Sequence, residues 1–287
     1  MRDGYGVLFR VGDKDYHSAR DLNLMMDKRQ EIGEPEPELT LLEIPGRNGW
    51  LDQSEALTGR VTYKPRTMTF SFVLRDKARQ WAYRVSDIRA ALHGKRARII
   101  CDDDPYFYYE GRVRVGTLQA DGHTGRLKVT AQVDPYKYEI ASSIEPWLWS
   151  PFDFRVGVIR QYGFLSPGGW VGEVDGKTYG LLVDGSLTLE VIGGQMPVIP
   201  TFYAQSSDGA GLSVTFNGTE YSLFLLDEDE NVLEGPGHDV VIVSGDMVYH
   251  KATGGIQWPG IDLTEGTYTL TFSGHGHVAT EYRGGRL

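Results

Sequence analysis

Asp104-Pro105-Tyr106-Phe107-Tyr108 and Asp134-Pro135-Tyr136-Lys137-Tyr138 are two copies of one phrase, thirty residues apart. Each closes a stretch that reads as a β-strand. Aspartate bonds its own turn, and proline fixes φ and removes a ladder donor, so an Asp-Pro corner before alternating aromatics re-aims the chain at a sheet edge. Asp104, Pro105, Tyr106, Asp134, Pro135 and Tyr136 are therefore structural turn markers. They frame one hairpin and tilt the reading towards a building block.

Strands flank both corners. Arg98–Cys101 and Tyr106–Val115 surround the first, and Arg126–Val133 leads into the second. Leu127, Val129, Ala131 and Val133 alternate with Arg126, Lys128, Thr130 and Gln132, as a half-buried strand does. Thr67–Leu74 alternates likewise, with Met68, Phe70, Phe72 and Leu74 on one face. Between them, Asp76–Leu92 is predicted as a helix, with Asp76 as cap, Gly94 as stop and Ala78, Trp81, Ala82, Val85, Ile88 and Leu92 as its apolar stripe.

Further upstream, Tyr5–Val11 reads as a strand and Gly12-Asp13-Lys14-Asp15 as a turn. Glu34-Pro35-Glu36-Pro37-Glu38 reads as a stiff solvated spacer, and Leu39–Ile44 as a strand. Pro45-Gly46-Arg47-Asn48-Gly49-Trp50 is a strong loop signal. Its exposed Arg and Trp are typical anchor residues, which makes Pro45, Gly46, Arg47, Asn48, Gly49 and Trp50 candidates for a subunit interface.

The chain has 287 residues, enough for two domains at about 150 residues each. Composition places the joint. Residues 1–144 hold 23 Lys+Arg and 21 Asp+Glu, a net of +2; residues 145–287 hold 6 and 18, a net of −12. Glycines split 12 and 24 across the same boundary. Pro146 and Pro151 interrupt regular structure there, so the joint is expected within Ser142–Pro151. The fold class is mostly β. The first domain, residues 1–144, is α+β, with antiparallel strands and one helix. The second, residues 145–287, is expected to be a β-sandwich of short strands at Leu187–Ile192, Val198–Ala204, Gly211–Phe216, Thr219–Leu226, Val240–Val243, Met247–Lys251 and Tyr268–Ser273.

Little in the sequence carries chemistry. Cys101 is the one cysteine, so no internal disulfide forms, and it reads as a buried hydrophobe. No apolar run approaches a membrane span, and Met1–Arg10 lacks the order of a signal peptide. Asp102-Asp103-Asp104 lacks the alternating ligands of a calcium loop and reads as a turn; Asp227-Glu228-Asp229-Glu230 reads as a solvated hairpin tip. His275-Gly276-His277 lacks the further ligands that zinc requires. His17, His93, His123, His238 and His250 are scattered. No nucleophile elbow, Walker loop or dinucleotide fingerprint is present. No catalytic, cofactor or metal residue is assigned. The net charge of −10 argues against nucleic-acid binding. Trp147, Trp149, Trp170 and Trp258 fall in the second half, which keeps a carbohydrate-binding or host-adhesin module as the alternative function; tryptophans also fill cores, as Trp81 would.

An ordered set of segments resembles one family. Ile44-Pro45-Gly46-Arg47-Asn48-Gly49, the helix holding Trp81, Leu92-His93-Gly94-Lys95, then Asp103 to Val113, then Asp134-Pro135-Tyr136-Lys137-Tyr138 are similar to the distal tail proteins (Dit) of long-tailed, siphovirus-type bacteriophages. Gly193–Phe202 and the closing Tyr282–Leu287 resemble the family more loosely. The resemblance implies a ring-forming first domain and a galectin-like sandwich as the second. It implies a homohexameric ring at the tail tip or baseplate, joining the tail tube protein to the tail-tip protein and supporting receptor-binding proteins in host attachment. The ring would be built in the bacterial cytoplasm and carried in the virion, with no cofactor, no catalysis, no specific nucleic-acid binding and no membrane insertion. The first domain's edge-strand signals suit sheet pairing between subunits.

Overall fold

The computed structural model describes residues 5–46, 48–56, 58–121, 124–140, 181–206, 211–223, 241–244, 247–250 and 255–287. It gives the backbone alone at 152–153, 158–159, 172–174, 177–179, 192–193, 206, 241–244, 247 and 249–250. Arg47, the joint at 142–151, the acidic tip at 227–230, His123, His238, Trp147, Trp149 and Trp170 lie outside the described residues. The chain divides into two compact units, residues 1–138 with Leu287, and residues 139–286.

The first unit is built on an antiparallel sheet. Its strands are β1 (Val7–Val11), β2 (Lys14–His17), β3 (Leu24–Met26), β4 (Glu31–Ile32), β7 (Arg66–Leu74), β8 (Arg96–Cys101), β9 (Phe107–Ala120) and β10 (Gly125–Val133). The order is β2-β1-β8-β9-β10-β7-β3, and β4 shares the β7 edge with β3. β5 (Leu41–Glu43) and β6 (Trp50–Asp52) form a separate two-stranded sheet, and β11 (Lys137–Glu139) leads out of the unit. Alternation decides which face is buried: Met68, Phe70, Phe72 and Leu74 are buried, as are Leu127, Val129, Ala131 and Val133. Phe9 meets Phe70 edge-on at 5.6 Å, and Phe70 stacks on Phe72 at 6.1 Å.

Helix α1 runs Trp81–Leu92 after a short 3-10 turn at Ala78–Gln80. Trp81, Val85, Ile88 and Leu92 form the buried stripe, each contributing about 1.5–3 kcal/mol by its burial. Ala78 and Ala82, expected in that stripe, are exposed. Nor does Asp76 cap the helix: the N-terminus has no side-chain cap. The Asp76 carboxylate instead pairs with Arg84 at 3.1 Å, and its carbonyl accepts the Trp81 indole N–H at 2.8 Å. The pair with Arg84 outcompetes the cap, and helix winding waits for Trp81.

The second unit is all strand among its described residues. Two hairpins come first, β12 (Phe152–Asp153) with β13 (Val158–Ile159) and β14 (Gly172–Val174) with β15 (Lys177–Tyr179). An eight-stranded antiparallel sheet follows: β16 (Leu181–Gly193), β17 (Thr201–Ser206), β18 (Ser213–Phe216), β19 (Thr219–Ser222), β20 (Val241–Ser244), β21 (Met247–His250), β22 (Gly255–Gln257) and β23 (Gly266–Glu281). β24 (Gly285–Arg286) ends the chain. β23 organises the sheet: β16 pairs along its length, β18 pairs with residues 270–273, and β17 with residues 276–281. Phe202, Leu212, Val214, Leu270, Phe272 and Val278 fill the core. β16 and β23 run well beyond the expected Leu187–Ile192 and Tyr268–Ser273. The extension of β23 takes in His275-Gly276-His277, so the paired histidines are strand residues. Closing the unit, the Gly284 carbonyl accepts from Glu139 N–H at 2.9 Å, and Arg283 donates to the Ile140 carbonyl.

Candidate functional site: an exposed arm and a doubled corner

Residues 36–64 form an arm. At its root Lys64 N–H donates to the Glu36 carbonyl (2.8 Å), Glu38 N–H donates to the Thr62 carbonyl (2.8 Å), and Pro37 bridges Tyr63. The segment expected to be a solvated spacer is largely exposed and meets the returning chain through an isolated bridge, in which Pro37 needs no ladder donor. Further out, Gln53 N–H donates to the Thr40 carbonyl and Thr40 N–H to Ser54 Oγ. Then β5 and β6 pair Leu41 with Asp52, Leu42 with Leu51 and Glu43 with Trp50. Residues 44–46 and 48–49 lie at the tip. At the rise of an extended strand, root to tip spans about 25–30 Å.

The arm carries apolar side chains and no core. Leu39 is 56% exposed, Leu41 42%, Leu42 44%, Ile44 38% and Trp50 63%. Among the predicted interface residues, Pro45, Gly46, Asn48, Gly49 and Trp50 sit together at this exposed tip. The extra apolar surface, residues 39–44, was not marked by the sequence, because a run such as Leu41-Leu42 reads equally well as buried strand. A two-stranded hairpin has little stability alone, and a clustered apolar surface marks an interaction site.

The doubled corner lies beside the arm's root. Tyr63 meets Tyr136 edge-on at 6.0 Å. The two copies of the phrase also grip each other. Lys137 of the second donates to Asp104 of the first at 2.6 Å, and its ammonium lies 4.4 Å from the centre of the Phe107 ring. Tyr108 stacks on Tyr138 at 5.3 Å, Tyr138 donates to Asp134 at 3.0 Å, and Arg98 lies 5.0 Å from the Tyr108 ring centre. Burial, with Asp134 nearby, pushes the Tyr138 phenol pKa up. Replacing Lys137 with methionine keeps the stem and removes the charge. It should cost the first unit about 1–2 kcal/mol, read by equilibrium urea unfolding.

The remaining chemical candidates have structural partners. Asp102 accepts from Gly6 N–H at 2.8 Å and faces His17 at 3.3 Å. Asp103 accepts from Arg29 at 2.9 Å and Gln30 at 3.0 Å. Burial works to raise the Asp103 carboxyl, but hydrogen bonds from Tyr5, Gln30 and Arg29 outweigh it and hold it below the usual range. Asp104 takes Lys137. The three aspartates therefore fasten three different segments. Burial, reinforced by those aspartates, pushes the Cys101 thiol up to about 12, so it holds its proton at neutral pH. His93 Nδ1 accepts from Val115 N–H at 3.1 Å, and His275 pairs with Asp184 at 3.0 Å in the open. No cluster of three or more His, Cys, Asp or Glu gathers as a metal site among the described residues. Trp258 donates to the Ser222 carbonyl at 2.8 Å and packs on Tyr221 at 5.4 Å, so this ring is committed to the second unit's own packing.

No family model and no curated protein significantly matches this sequence. Solved structures do match. Two of phage p2's baseplate in its activated conformation, with Sr and with Ca, align at 10% and 9% identity with TM-scores of 0.33 and 0.35. The alignments cover 99% and 98% of this chain and 97% of each of theirs. The crystal structure of the SPP1 Dit protein, described as a paradigm of the hub adsorption apparatus in phages infecting Gram-positive hosts, aligns over 99% of both chains at 13% identity. Its TM-score of 0.50 makes the likeness one of fold: from the first unit through the second, this chain folds as a phage tail hub protein does.

Proposed function

We propose that this protein is the hub of a bacteriophage tail tip, in which six copies close a ring joining the tail tube to the tail-tip protein and supporting receptor-binding proteins. The first domain forms the ring and the second is a galectin-like module. The observation that carries the reading is the likeness of fold to one tail hub over 99% of both chains. The arm supports the ring in particular. Leu39, Leu41, Leu42, Ile44 and Trp50 lie open on a hairpin with no core of its own, and a neighbouring copy offers them cover. The role is structural, with partners that are proteins of the tail and a place in the virion after assembly in the host cytoplasm.

Native mass spectrometry of the full chain tests this. A species of six times the 32.1 kDa chain mass is expected at tens of micromolar. A strict monomer across that range, with and without the partner tube protein, would overturn the ring.

A further inference from the structure

The first unit's solvent face collects cations that the sequence scatters. Along β9, Gly111, Val113 and Val115 point inward, so Arg112 and Arg114 point out. Register then sets Arg112 between Arg96 on β8 and Gln132 on β10, and Arg114 beside Thr130. Lys128 follows on β10, opposite Ser71. All four cations are exposed. Arg96 has Glu110 at 2.8 Å. Among the described residues Arg112 has only the Gly94 carbonyl, at 2.5 Å, Arg114 has no ion-pair partner, and Lys128 feels Glu31 at longer range, a carboxylate already paired with Lys28. Arg96 directly opposite Arg112 is a like-charge cross-strand pair, which is destabilising. It stands in a chain with ten more acids than bases.

The second unit presents the complement. On β16, Leu181, Val183, Leu187, Leu189 and Val191 face the core, and Asp184, Ser186, Thr188 and Glu190 face solvent. Thr188 pairs across to Thr271, which pairs to Thr215 and on to Glu220. This face carries Asp184, Glu190 and Glu220 against the imidazoles of His275 and His277. It belongs to the half of the chain whose net charge is −12.

We infer that the Arg112–Arg114–Lys128 face of one copy docks the Asp184–Glu190 face of a second copy. The contact is electrostatic and distinct from the arm, and it rests on the reading above that copies of this chain assemble. A nucleic-acid occupant is disfavoured, because Glu110, Asp134, Asp27 and Asp121 rim the basic face and the chain as a whole is anionic.

The test is sedimentation of the full chain at 50 and 500 mM salt. Assembly by the wild type should weaken as salt rises. Arg112→Glu with Arg114→Glu should raise the concentration needed for assembly about tenfold at low salt, and so should Asp184→Lys with Glu190→Lys. Combining both sets in one chain should restore it. These are surface positions, so melting temperature checks that each variant folds. Assembly indifferent to Arg112→Glu with Arg114→Glu overturns the contact and leaves the ring standing. A wild type monomeric at every salt overturns both. Binding of a short DNA duplex that those two substitutions abolish, with oligomer mass unchanged, also overturns it and gives the face to a polyanion.

Discussion

Replacing Gly111 with alanine is expected to cost the first unit about 3 kcal/mol or more, a fall in melting temperature of roughly 10 °C by calorimetry. Gly111 sits in the middle of β9, opposite Val133 on β10. A Cβ built there would lie 2.0 Å from the Gln132 carbonyl oxygen and 2.5 Å from Val133 Cα. Both neighbours are backbone, so no side chain can swing away, and the sheet must part where Tyr109, Val113 and Val133 close the core. Gly211 supplies the control. A Cβ there meets nothing within 4 Å, so Gly211→Ala should leave stability within about 0.5 kcal/mol. A Gly111→Ala protein that melts with the wild type would show that β9 and β10 are not packed this closely.

Replacing Leu42 and Trp50 together with alanine should leave the monomer's melting temperature within about 2 °C and weaken its assembly roughly 100- to 1000-fold. The first half follows from exposure: at 44% and 63% exposed, neither side chain holds the monomer together. The second follows from what anchors contribute at an interface, about 1.5–2 kcal/mol each. Concentration-dependent mass is the measurement. An oligomer unmoved by the pair, in a protein that still assembles, would remove the arm from the interface.

Much of the first unit was legible because two periods speak clearly. β7 and β10 alternate without error, and the buried helix residues recur at helical spacing. The helix start was not legible, since Asp76 has two competing uses and only the position of Arg84 decides between them. In the second unit the far half of β23 hid behind its glycines. Gly274 there adopts φ +122, and a Cβ would stand 2.6 Å from the Gly211 carbonyl. Such a glycine looks like a break in the sequence but marks a close approach within a strand.

The site divides in the same way. The tip at 45–50 is readable from turn chemistry. That the strands feeding it hold no fully buried side chain is a matter of what packs on them, which no local pattern encodes. The basic face was missed for the opposite reason. Its cations are split among three strands and interleaved with core residues, and the register of β8, β9 and β10 brings them together.

The contact between Tyr63 and Tyr136 bears on the entropy of closing a ring. An arm hung from a flexible linker would have to give up a wide range of orientations each time its tip found a neighbour. This one is bonded along its root at Glu36, Glu38 and Lys64 and seated against the corner at Pro135-Tyr136, itself locked to β8 and β9 through Lys137 and Asp104. Its direction is set before any neighbour arrives. In the proposed ring, most of the orientational cost of capture would thus be met during folding of the single chain, and each added subunit would inherit the angle of the last.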